Sequence, residues 1–114
     1  MPGEIVSLTT RAEAIEYLKN NNAVIMKFTA TWCGPCKKST PLVNKLFSKM
    51  PDNVTMVIVD IDVGRDISSA MKIQSVPTLF NFINGAPMDS VVGSKVENII
   101  SFFKKTSTRA SSLN

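Results

Sequence analysis

The feature that most constrains the fold is an apolar run at residues 23–30, interrupted only by Lys27 and Thr29. A run with so little polar alternation predicts a β-strand that is buried on both faces. Such a strand needs apolar elements packed against it from each side, which favours a sheet covered by helices. With 114 residues, the chain is long enough for one core of this kind and too short for two domains.

The remaining apolar patterns predict alternating strands and helices. Strands are predicted at residues 4–8, 23–30, 54–61, 79–83 and 88–92, and helices at residues 10–20, 33–50, 66–72 and 96–105. Thr10 and Glu13 fit a capping box at the start of the first helix, and Asn84-Gly85 fits a tight turn between the last two strands. The order βαβαβαββα predicts a single α/β domain with a mixed sheet.

The polar C-terminal end, the lengths of the apolar runs and the net charge lead to three further expectations. Residues 106–114 are polar and lack apolar periodicity, so we expect a disordered tail after a domain at residues 1–105. No apolar run has the length of a signal peptide core or a membrane span, so we expect a cytoplasmic protein without a membrane partner. The net charge of +4 is mild and does not favour nucleic-acid binding.

The sequence contains no histidine and only two cysteines. The missing histidine excludes Ser-His-Asp catalysis, Cys-His catalysis and every histidine-ligated metal site. Two cysteines cannot complete a four-thiolate zinc site or hold an iron–sulfur cluster alone. The chemistry of this chain therefore depends on how its two cysteines are placed.

Cys33 and Cys36 are three residues apart, a spacing that two randomly placed cysteines would show in roughly 2% of arrangements. They follow the buried strand and open the next predicted helix, so Cys33 would lie near unpaired amides and the positive end of the helix dipole. Those groups favour the thiolate, which is the nucleophilic form. Pro35 has a preset φ and suits the first helical turn. Cys36 lies one turn along, within the reach of a disulfide.

This arrangement would allow Cys33 to attack a target disulfide and Cys36 to resolve the mixed disulfide that results. Two other interpretations remain open at this point. The cysteines could be inert core residues or form an incidental bridge. They could also clip a metal ion, although further ligands are missing.

The chain resembles the thioredoxin family in several motifs that follow the family's order and spacing over about residues 4–105. They are Trp32-Cys33-Gly34-Pro35-Cys36, Pro41, Val76-Pro77-Thr78, Asn84-Gly85 and Gly93. The resemblance implies the thioredoxin fold, with a five-stranded mixed β-sheet flanked by four helices. It also implies a general protein-disulfide reductase that binds no cofactor and is recharged by a thioredoxin reductase using NADPH. We expect a monomer that acts on disulfide-containing target proteins.

The same resemblance gives roles to the residues of the cysteine motif. Cys33 is expected to be the attacking cysteine and Cys36 the resolving one, and together they would form a redox-active disulfide. Gly34 and Pro35, which lie between them, would tune the reduction potential towards that of a reductant.

Four further residues are expected to bind the substrate. Pro77 would form a cis peptide bond and pack against the disulfide, and Val76 would offer backbone hydrogen bonds to an extended target segment. Trp32 and Gly93 would line the docking surface.

Lys27 departs from the family, which usually has a buried aspartate at this position, and Ile58 stands where a lysine often accompanies that aspartate. A lysine here must reach solvent along its stem, pair with an acid such as Asp60 or Asp62, or have a lowered pKa. A cation near the cysteines would stabilise a thiolate, whereas a neutral amine could accept a proton. The alternatives to a reductase are therefore a dedicated disulfide oxidase or isomerase and a thioredoxin-fold binding subunit.

Overall fold

A computed structural model describes residues 1–113, and its element order is the predicted βαβαβαββα. The strands are β1 Ile5–Ser7, β2 Ala23–Thr29, β3 Val54–Asp60, β4 Thr78–Ile83 and β5 Ala86–Val92. The helices are α1 Arg11–Asn20, α2 Gly34–Phe47, α3 Arg65–Ala70 and α4 Val96–Ser111. Within residues 1–113, no helix combines the length and the hydropathy needed to cross a membrane.

The five strands form one mixed sheet in the order β1-β3-β2-β4-β5. Strand β2 pairs parallel with β3 and antiparallel with β4, so it is the central strand of the sheet. Its residues from Ala23 to Phe28 are all buried, which confirms the interpretation of the apolar run. The five-stranded mixed sheet with four helices is the fold that the motifs implied.

Alternate side chains of β2 enter two separate cores. Ala23 and Ile25 belong to a core built with α2 and α4. Val24, Met26 and Phe28 belong to a second core built with α1 and α3 on the opposite face. Because successive side chains of a strand point to opposite faces, helices must cover both sides of β2. Lys27 continues the series of Ala23 and Ile25 and therefore lies on the side of α2.

Two local predictions from the sequence are confirmed at the ends of elements. The Thr10 hydroxyl accepts a hydrogen bond from the Glu13 N–H, and the Glu13 carboxylate accepts one from the Thr10 N–H, which completes the capping box. Asn84 and Gly85, with φ of 51° and 83°, form the turn between β4 and β5. Both features depend on residues that are close in sequence, which is why the sequence alone was enough to predict them.

The prediction of a disordered polar tail is wrong for residues 106–111. Helix α4 continues to Ser111, and its residues Thr106 and Ala110 are fully buried. The last residue, Asn114, lies outside the described residues, so the prediction is not tested there. The α/β domain therefore extends beyond the predicted boundary at residue 105.

A buried polar network explains why this end of the chain is ordered. The Asn81 amide nitrogen donates to Thr106 Oγ1 and to Asp89 Oδ2, each at 2.9 Å. Arg109 Nε donates to Asp89 Oδ2 at 2.6 Å, and this hydrogen bond lowers the pKa of the Asp89 carboxyl. Since Asn81 is fully buried on β4, its partners on α4 and β5 are needed to satisfy it. Hydropathy along the sequence cannot show such partners.

We predict that Thr106→Val destabilises the protein by about 1–3 kcal/mol, because it leaves one N–H of the buried Asn81 amide without an acceptor. The matched control is Thr108→Val, since Thr108 is exposed on the same helix and makes the same type of hydrogen bond to the preceding turn. Urea unfolding of both variants measures the difference. Equal stability of the two variants would contradict the structural role of the network.

Candidate active site

Cys33 and Cys36 lie where β2 leads into α2. Cys33 is the N-cap residue of α2, Cys36 lies in its first turn, and a disulfide joins them across a Cα–Cα distance of 5.3 Å. Cys33 Sγ accepts a hydrogen bond of 3.1 Å from the Cys36 N–H. This amide of the helix N-terminus is therefore directed at the Cys33 sulfur, and it would stabilise the Cys33 thiolate when the disulfide opens.

The two residues between the cysteines begin the helix. Gly34 and Pro35 are the first two residues of α2, and both are exposed. Pro35 lacks an N–H at a position where the helix offers no carbonyl acceptor, so its ring fits there without loss of a hydrogen bond. A Cβ at Gly34 would meet nothing within 4 Å, so packing does not require glycine there.

A cis peptide bond between Val76 and Pro77 adjoins the disulfide, in the position that the resemblance implied. Val76 O lies 3.7 Å from Cys33 Sγ, and the Val76 N–H has no hydrogen-bond partner within residues 1–113. The Gly93 N–H donates to Pro77 O at 2.8 Å, and Gly93 has a φ of 97°, where glycine is favoured. The structure thus brings Cys33, Val76, Pro77 and Gly93 together.

Trp32 is exposed, with 64% of its surface accessible. Its Nε1 donates to Asp62 Oδ2 at 2.8 Å, which connects the start of α2 to the loop after β3. Asp60 Oδ1 in turn accepts from the Asp62 N–H at 2.8 Å. Asp62 therefore holds Trp32 in place, a role that sequence reasoning missed because 30 residues separate the two.

Lys27 is buried, with only 5% of its surface exposed, so its stem does not carry the amine freely into solvent. Its Nζ donates to Thr40 Oγ1 at 3.2 Å, and Thr40 Oγ1 donates to Cys36 O at 2.8 Å. Lys27 forms no ion pair with Asp60, Asp62 or any other acid among the described residues, so pairing with an acid, one of the three alternatives, does not occur in this structure. Burial lowers the pKa of Lys27 below its ordinary value of 10.5, the third of the expected outcomes.

Thr40 is a second residue of this site that sequence reasoning missed. It follows Cys36 by four residues on α2, and this spacing places both residues on one face of the helix. The four-residue spacing of Cys36 and Thr40 can be seen in the sequence. The contact of Thr40 with Lys27 cannot, because it depends on how α2 packs across β2.

These features together define a class of protein. A disulfide at the N-terminus of a helix, beside a cis-proline loop and an exposed tryptophan, is suited to exchange of disulfides with other proteins. Among residues 1–113, no group of three or more His, Cys, Asp or Glu side chains could hold a metal ion. The fold and site are those of an α/β thiol–disulfide oxidoreductase.

Comparisons with known proteins give the family. The thioredoxin family profile matches residues 5–105. Thioredoxin from Mycolicibacterium smegmatis is 34% identical over 92 residues, which cover 79% of this chain and 82% of that protein. The oxidised mitochondrial thioredoxin 3 of Saccharomyces cerevisiae matches with a TM-score of 0.82 and 31% identity, over 89% of this chain and 94% of that one. The chain belongs to the thioredoxin family, and it is a protein-disulfide reductase.

A further relative joins two activities in one chain. The bifunctional thioredoxin reductase/thioredoxin of Mycobacterium leprae is 30% identical over 93 residues, which cover 82% of this chain and 20% of that protein. This chain therefore corresponds to a fifth of the length of that relative.

We predict that Lys27→Met stabilises the oxidised protein by about 1–2 kcal/mol at neutral pH, because it removes a buried amine that no acid compensates. Burial lowers the pKa of Lys27 in the folded protein, so the charged amine reduces the free energy of unfolding by its full amount below that lowered pKa. This loss of stability disappears as the pH rises towards 10.5, the ordinary value of a lysine. The advantage of Lys27→Met should therefore shrink over that range. Urea unfolding at several pH values measures it, with the exposed Lys45→Met as control. A constant difference at all pH values would contradict the assignment.

Proposed function

We propose that this protein reduces disulfides of target proteins with Cys33 as the nucleophile and Cys36 as the resolving thiol. The observation that carries this assignment is the hydrogen bond from the Cys36 N–H to Cys33 Sγ at the N-cap of α2. That amide favours a thiolate on Cys33 over one on Cys36. Cys33 would attack the target disulfide, and Cys36 would then attack Cys33 Sγ and release the reduced target.

We further propose that an extended segment of the target binds along the cis-proline loop. The unpaired Val76 N–H and the Val76 carbonyl beside Cys33 support pairing with the target backbone, as in the addition of a β-strand. Pro77 would form the floor of this groove and Gly93 one wall, and the exposed ring of Trp32 would cover apolar side chains of the target.

Electrons would come from NADPH through a thioredoxin reductase, and the chain would act as a monomer in the cytoplasm. The relative from Mycobacterium leprae that combines thioredoxin reductase and thioredoxin supports the reductase as a partner. The Gly34-Pro35 pair supports a reducing direction. Insulin reduction, first with a chemical reductant and then with NADPH and a thioredoxin reductase, tests both steps. Turnover with the chemical reductant but not with NADPH and the thioredoxin reductase would indicate a different reductase partner.

A dedicated oxidase is the second candidate. The buried ammonium of Lys27, which is linked to the Cys36 backbone through Thr40, would stabilise a thiolate in the reduced form and so favour that form. Equilibration with a glutathione redox buffer distinguishes the two directions. A reductase should remain oxidised at ratios of reduced to oxidised glutathione that convert a strong oxidant to its dithiol.

We predict that Cys36→Ser accumulates a stable mixed disulfide between Cys33 and a target protein, because no resolving thiol remains. Non-reducing electrophoresis and mass spectrometry after incubation with a disulfide-containing protein measure the trapped complex. Cys33→Ser is the matched control and should trap much less. A higher yield through Cys36 in that control would reverse the two roles.

A further inference from the structure

Lys27 is a buried titratable group that the reaction described above does not use. Two hydrogen bonds, of 3.2 and 2.8 Å, connect its Nζ through the Thr40 hydroxyl to the backbone carbonyl of Cys36. The lysine on β2 and the resolving cysteine on α2 are therefore parts of one hydrogen-bonded chain. The other atoms near Lys27 decide whether its charge is already balanced.

The elements packed against Lys27 supply no balancing charge while the disulfide is closed. Its register partners on the neighbouring strands are Ile58 on β3 and Leu79 on β4, both apolar. Asp60 shares its face of the sheet, but its Oδ1 accepts hydrogen bonds from the backbone of the loop after β3. No carboxylate within residues 1–113 forms an ion pair with Lys27.

Helix α2 carries further charged and titratable groups on this side of the sheet. Lys37 and Lys38 are exposed, so their charges are screened by water. Cys36 is buried, with 1% of its surface exposed, and it becomes titratable once the disulfide opens. A thiolate at Cys36 would then be an anion on the residue whose backbone carbonyl ends the hydrogen-bonded chain from Lys27.

We propose that the Lys27 ammonium is the counter-ion of the Cys36 thiolate that forms in the mixed disulfide. This inference rests on the proposed role of Cys36 as the resolving thiol. Lys27 is a positioning residue, since it acts on the sulfur through its charge, while Thr40 links its Nζ to the Cys36 backbone. Lys27 and Cys36 are both buried, and the attraction between buried charges is stronger than that between charges at the surface.

The resolving step requires the thiolate form of Cys36. The Cys36 thiol gives its proton to water, and Lys27 stabilises the thiolate that remains. The thiolate attacks Cys33 Sγ, so the bond between Cys33 and Cys36 forms while the bond between Cys33 and the target breaks. The target leaves as a thiolate and takes a proton from water. The first target sulfur was already released as a thiolate when Cys33 attacked, so over both steps the two cysteines lose two electrons and the target disulfide gains two.

Burial and the thiolate have opposite effects on Lys27. Burial lowers the pKa of Lys27 in the oxidised protein, whereas a nearby thiolate favours the ammonium form. Opening the disulfide would therefore provide the partner that the closed form lacks.

Titration of Cys36 alone tests the proposal. In a Cys33→Ser background, the ultraviolet absorbance of the thiolate gives the pKa of Cys36 without interference. Adding Lys27→Gln, which keeps a hydrogen-bond donor but removes the charge, should raise the Cys36 pKa by about one unit. Lys45→Gln removes an exposed charge from the same helix and should leave the Cys36 pKa unchanged.

Two further variants separate charge from structure. Lys27→Arg restores a cation and should return the Cys36 pKa towards the wild-type value, whereas Lys27→Met should raise it as Lys27→Gln does. If Lys27→Arg does not fold, the comparison of Lys27→Met with Lys45→Gln still decides the question. An unchanged Cys36 pKa in Lys27→Gln and Lys27→Met overturns the proposal, as does an equal change in Lys45→Gln.

Single-turnover kinetics give a second readout with both cysteines present. Below the pKa of Cys36, Lys27→Gln should hold about tenfold less thiolate, and each thiolate should be about threefold more nucleophilic. Release of the target should therefore slow by about threefold, while attack by Cys33 stays unchanged. If Cys36→Ser traps no target, the proposed roles of the cysteines fail, yet the titration still shows whether Lys27 and Cys36 are coupled.

Discussion

Burial of β2 on both faces fixes where the reactive disulfide lies. A shift of this strand by one residue would exchange the side chains that fill the two cores, so its register is strongly determined. The carboxyl end of β2 is thereby held in one place, and the chain turns there into α2 with Cys33 as its N-cap. The position of the Cys33 thiol at the start of α2 thus depends on how β2, which precedes it in the chain, packs between the two cores.

The parts of the fold that were predictable depend on residues close in sequence. The apolar run of β2, the Thr10 and Glu13 capping box and the Asn84-Gly85 turn each encode their structure locally. The cysteine spacing likewise placed the disulfide correctly, and the family motifs placed the cis-proline loop beside it.

The parts that were not predictable depend on contacts between distant segments. The end of α4 looks like a polar tail because Thr106 and Arg109 find their partners on β4 and β5. Asp62 was considered as a partner for Lys27, but it binds Trp32 instead. Lys27 was recognised as unusual, while its link to Cys36 through Thr40 required the packing of α2 on the sheet. A buried amine that costs stability and adjoins the reactive pair fits the general observation that proteins depart from ideal packing at functional sites.

The hairpin of β4 and β5 has a consequence for how the target groove can be altered from a distance. Both ends of this hairpin border the groove, since β4 begins after Pro77, β5 ends before Gly93, and a hydrogen bond joins the two residues. At Asn81, between these ends and the turn, the pairing of the strands is irregular, and the Asn81 side chain bonds to Asp89 on β5. These hydrogen bonds oppose a change in the register of the two strands. If a change at the remote turn shifted β4 along β5, Pro77 would move relative to Gly93, and the two sides of the groove would no longer face each other.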